Sequence, residues 1–137
     1  MAENPTIRDR LNTLTNRIPS RDNDEEDPEA LGVCGWLHGI KDRALMLELR
    51  LKTGNVLALG YAWMEKAEYD PTEGITLHFV NAKVRLRGRN LRKPLRTHLR
   101  LFDGLLRHRI PWIQEVDLAQ AVRSGEEAPL VTEIRVD

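Results

Sequence analysis

Between residues 45 and 87, apolar side chains recur at every second position, in short runs parted by turn-forming residues. Leu45, Leu47, Leu49 and Leu51 alternate with Met46, Glu48, Arg50 and Lys52, Thr53-Gly54-Asn55 supplies a turn, and residues 56–61 begin a second run. Successive side chains on a strand point to opposite faces, so this pattern predicts half-buried strands joined as a hairpin. Gly60 predicts a bulge or bend, after which residues 63–69 form either the rest of one long bent strand or a second short one. Asp70-Pro71-Thr72-Glu73-Gly74 is the clearest turn in the chain. Ile75, Leu77 and Phe79, then Val84 and Leu86, predict a second hairpin broken at Asn81-Ala82, with Lys83, Arg85 and Arg87 projecting from one face and Gly88 ending it. Tightly turned strands with almost no crossover helices predict a mainly β (α+β) fold, a small antiparallel barrel or curled sheet.

The flanks read differently. Ile7, Leu11, Leu14 and Ile18 share one helical stripe, so a short N-terminal helix is expected between a Thr6 cap and Pro19. Docking on its own domain or fraying is favoured over binding a partner. Residues 20–29 are an acidic linker by composition, without the ligand spacing or turn glycine of a calcium loop. Residues 33–40 are a candidate first strand. After the second hairpin, an Asn90 cap and a stripe of Leu91, Leu95, Leu99 and Phe102 predict a basic helix following the fourth strand, with Arg92, Lys93, Arg96 and Arg100 on its opposite side. Residues 107–116 read as a strand that Pro111 confines to an edge or bend. Asp117 caps a short helix through Val122, and residues 130–136 are a weak last strand or ordered tail. The expected organisation is an N-terminal helix and acidic linker over 1–30, one compact domain over 31–123, and a C-terminal loop with weak strand or tail over 124–137.

The 137 residues carry no net charge, but the charge is segregated. Residues 1–30 hold eight acids and four bases, whereas residues 83–109 hold ten bases, eight of them arginine, against Asp103 alone. Residues 110–137 return to six acids and two bases. A block this dense creates an attractive field for phosphates, and arginine adds planar donors that stack on bases. Lys83, Arg85, Arg87, Arg89, Arg92, Lys93, Arg96 and Arg100 are therefore the candidate nucleic-acid contacts, with Arg87 and Arg89 nearest the bases. The competing reading is a solvated cationic face, paired with the acidic ends or with an acidic partner surface.

No catalytic, metal or cofactor site is expected. His38, His78, His98 and His108 lack helical metal-pair spacing, and there is no phosphate-loop or dinucleotide pattern. Cys34, the single cysteine, reads as a small buried side chain and cannot form an internal disulfide. Tyr61, Trp63, Tyr69, Phe79, Phe102 and Trp112 mostly fall on the apolar parity of their runs and read as core. The expected protein is soluble and cytoplasmic, with no membrane partner, able to form a homo-oligomer, and not an enzyme.

Gly54 with Gly60, and Val84-Arg85-Leu86-Arg87-Gly88-Arg89-Asn90-Leu91, resemble the glycine pair and the Arg-Gly motif of the Sm/Hfq-like small β-barrel family, over about residues 45–91. The resemblance implies five bent strands behind a short N-terminal helix, RNA binding, ring assembly through edge strands, and Arg87 beside a bound base. The chain departs from that pattern in a glycine pair one residue wider, in lacking a counterpart for the third-strand Asp and Asn, and in the basic helix before the fifth strand. Its expected function is a non-catalytic module binding RNA or single-stranded DNA. The alternative is a protein-interaction or scaffold module that assembles through sheet edges.

Overall fold

The computed structural model describes residues 27–123 and 127–137; the helix expected over residues 6–18 and most of the acidic linker lie outside them. The described chain is mainly β. Its elements are β1 (Glu29–Ala30), β2 (Gly35–Trp36), β3 (Met46–Arg50), β4 (Val56–Gly60), β5 (Met64–Asp70), β6 (Gly74–Phe79), β7 (Ala82–Arg89), α1 (Leu101–Leu106), β8 (Trp112–Gln114), α2 (Leu118–Arg123) and β9 (Leu130–Val136).

Both hairpins expected from the alternation are present. Leu47 pairs with Leu59 and Leu49 with Leu57 across β3 and β4, and Gly54 takes the left-handed conformation (φ 98°) in the intervening turn. In the second, β6 and β7 place Ile75 opposite Leu86 and Leu77 opposite Val84. The run after Gly60 resolves into two short strands, because a 3-10 turn at Tyr61–Trp63 separates β4 from β5. Gly60 has no room for a side chain there: the Trp63 indole and the Met46 sulfur lie over it.

Three sheets result. β1 and β2 form a minimal pair, β4-β3-β8 a second sheet, and β5-β6-β7-β9 a third. Pairing is antiparallel except between β3 and β8, which run parallel. The two larger sheets are stitched by a Glu115–Val131 bridge and share one core, in which Leu47, Leu49 and Ile113 pack with Ile75, Leu77, Val84, Leu86, Leu101 and Leu105. None of the sheets closes into a barrel. Among the described residues β4 and β5 are each an edge strand of their sheet, since the chain between them turns through the 3-10 segment and pairs neither strand with the other.

The basic helix expected after the fourth strand does not form over residues 91–100. Asn90 and His98 adopt left-handed backbone (φ 58° and 66°), which a right-handed helix cannot contain. Pro94 also disfavours helical geometry in the residue before it. The segment is a series of turns, closed by amide bonds from Lys93 to the Asn90 carbonyl and from Leu95 to the Leu99 carbonyl. Leu91 is buried and Leu95, Leu99 and Phe102 pack against the core, so the apolar stripe is real although the helix is not. Helix begins only at Leu101, after an extended Arg100.

The remaining expectations sort simply. The 107–116 strand is reduced to β8, and the first strand to β2. Asp117 Oδ1 accepts the Gln120 amide at 2.8 Å at the start of α2, as a capping residue should. Residues 130–136 form β9, which pairs with β7 along its length. No helix among the described residues is long and apolar enough to cross a membrane.

Candidate nucleic-acid interface

Gly88 sets the local geometry. β9 carries an extra residue opposite the Arg87–Gly88 step, and a Cβ on Gly88 would be driven into the Leu130 carbonyl. β7 stays paired with β9 through Arg89, after which residues 90–93 lie across a cleft from the 71–74 turn. Between these walls lies a half-open cleft of about 490 Å³, bordered by Tyr69, the 71–74 turn, Arg87, Arg92 and Lys93. A second cleft of about 360 Å³ shares Tyr69, Leu91 and Arg92 with it and adds Arg100, Phe102 and Asp103.

Together they make a groove with an aromatic wall. The Tyr69 and Phe102 rings stand 6.1 Å apart at 55°, and the Arg92 guanidinium lies 5.8 Å from the Tyr69 ring centre. Both rings are half-buried. Their apolar parity led to a core reading; in fact each seals the core with one side and lines the groove with the other.

The eight sequence candidates divide. Arg87, Arg92, Lys93 and Arg100 line the groove. Lys83 and Arg85 face outward from the four-stranded sheet, beside Glu68, Thr76 and His78. Arg96 lines neither cleft and is ion-paired with Glu29, which also binds His38 at 2.6 Å. Arg89 is the clearest departure. It lines neither cleft, and its guanidinium donates to the Ala121 carbonyl of α2 at 2.7 Å.

Much of the basic block meets this chain's own carboxylates. Arg87 is 2.6 Å from Glu73, and Lys93 pairs with Glu127. The hydrogen bond and charge of Lys93 hold Glu127 below the usual carboxylate range. Glu68 is lowered by its bond to His78, then by Lys66, and Glu29 by its bond to His38, then by Arg96. Asp70 is lowered by the Glu73 and Thr72 amides, the mark of an ordered turn. Among the described residues, Lys83, Arg85, Arg92 and Arg100 make no ion pair.

Sequence reasoning missed Arg135. β9 places it directly opposite Arg85, and the two border a small pit with Arg87 and Glu133. Like charges facing across a ladder repel, a cost that a bound anion would offset. Alternation along residues 130–136 could have put Arg135 on an outer face. Nothing in the sequence told which strand it would meet.

Cys34 is buried in the core, and burial pushes its thiol up to about 12, which disfavours the thiolate. No cluster of three or more metal-ligating side chains occurs among the described residues. What the groove can do is hold an anionic ligand with flat aromatic parts. No protein-family model, curated protein or solved structure matches the chain.

Proposed function

We propose that this chain is a non-catalytic binding module for RNA or single-stranded DNA. One observation carries the reading: two half-exposed aromatic faces and the cations Arg87, Arg92, Lys93 and Arg100 converge on a single groove. A base stacks on Tyr69 or Phe102 while its phosphates meet the guanidinium groups, and Arg85 with Arg135 extends the cationic track across the sheet. The Sm-like resemblance agrees at one residue, since Arg87, which it puts beside a base, lines the groove.

The test is anisotropy of short labelled RNA and DNA strands across a salt series. With about four phosphates neutralised, affinity falls on the order of 50-fold between 50 and 200 mM salt. Tyr69→Ala weakens binding by about 1–3 kcal/mol. Glu73→Gln strengthens it, by releasing Arg87 from its carboxylate. Absence of binding at low salt, or a Glu73→Gln variant no tighter than the parent, refutes the proposal.

The alternative, an interaction module assembling through a sheet edge, is favoured by a different feature: the open edge of β4.

A further inference from the structure

We infer that β4 is a self-association edge, through which two copies of this chain pair antiparallel about a twofold axis. The inference rests on the sheet-edge reading and is independent of nucleic-acid binding.

The edge is open in its backbone. The amide of Leu51 bonds to the Asn55 carbonyl, and that of Tyr61 to the Leu45 carbonyl. With the β3–β4 register, this phase turns the backbone groups of Leu57 and Leu59 toward β3 and leaves the N–H and C=O groups of Val56 and Ala58 and the N–H of Gly60 directed away from it, while the Gly60 C=O caps the 3-10 turn. Among the described residues, no strand pairs with β4 on that side.

The edge is also undefended. Free strands are normally blunted by charge, proline, a bulge or a cover. β5, the edge of the four-stranded sheet, has a bulge and carries the charges Glu65, Lys66 and Glu68. β8 is short, and the Val33–Cys34 segment covers it through the Gln114 amide and a bridge at Ile113. β4 reads Val-Leu-Ala-Leu-Gly, without charge, proline or bulge, and no described strand covers it.

Self-pairing is favoured because β4 complements itself on both faces. Centred on Ala58, an antiparallel pair sets Leu57 opposite the partner's Leu59 on the core side. On the outer side it sets Val56 opposite the partner's Gly60, the residue over which the Trp63 indole and Met46 lie. Val56 (56% exposed), Trp63 (61%) and Met46 (48%) are thus brought together across the axis. Closed twofold pairing adds no new open edge and stops at a dimer.

The test is solution mass across a concentration series, with amide hydrogen exchange on the same samples. The expected result is a rise from 15.8 kDa toward twice that value, with protection of the Val56, Ala58 and Gly60 amides in the dimer. Ala58→Lys sets two cations face to face at the axis and should weaken dimerisation at least tenfold. Val56→Lys, at a second solvent-facing position, should do the same, with circular dichroism unchanged in both. A chain monomeric throughout, or a dimer indifferent to both variants, overturns the inference. If the chain stays monomeric while a peptide of the Val56–Gly60 sequence protects the same amides, the second-copy register fails and the sheet-edge reading survives. If nothing protects them, both fail.

Discussion

Glu115 is the one buried acid among the described residues, and it works as a staple. Its two carboxylate oxygens accept the Lys52 and Ile134 amides at 2.9 and 2.8 Å, joining the β3–β4 turn to β9. Glu115→Ala leaves two amides without their acceptor and should cost about 2–3 kcal/mol in urea unfolding, with Glu115→Gln costing less. His108 gives the pH response. It stacks on Tyr61 at 4.4 Å, and its pKa is lowered by burial and then by Arg43. The unfolded chain therefore binds a proton more readily than the folded one. Stability from this site is complete above the ordinary value of 6.5 and declines as pH falls below it, toward the lower folded value. His108→Asn tolerates the left-handed backbone (φ 57°) and should flatten that part of the pH–stability curve.

At the level of elements, the β7–β9 ladder depends on Gly88. Gly88→Ala forces a methyl group against the Leu130 carbonyl and should destabilise the chain by about 1–3 kcal/mol, with β9 amides losing the most exchange protection. Local pattern explains why the hairpins were readable in advance: Leu47, Leu49, Ile75 and Leu77 declare their faces by alternation, and Gly54 and Gly74 declare their turns. Residues 91–100 misled because a stripe at helical spacing records only which side chains are apolar. Leu91, Leu95, Leu99 and Phe102 reach the core from turns just as well. The groove was half-legible for a related reason. Its cations stand in one block, but Tyr69 and Arg135 join them only through strand pairings that no local signal specifies, and the contact that takes Arg89 to Ala121 is invisible without α2.

For the whole molecule, one core shared by both larger sheets implies one cooperative unit. The near-ultraviolet signal of Trp36 and Trp112, beside the three-stranded sheet, and the far-ultraviolet signal of all strands should fall at the same urea concentration. Separate midpoints would make the sheets independent. The pairings that complete this unit are distant: Gln114 meets Arg50 across 64 residues, and Thr132 meets Arg87 across 45. At about 5–20 residues per second, β9 leaves the ribosome roughly 2–9 s after β7. Through that interval the nascent chain carries the β6–β7 hairpin with the β9-facing edge of β7 unpaired, and the window for capture by a chaperone, or by a neighbouring nascent chain, is set by how fast residues 90–129 are translated.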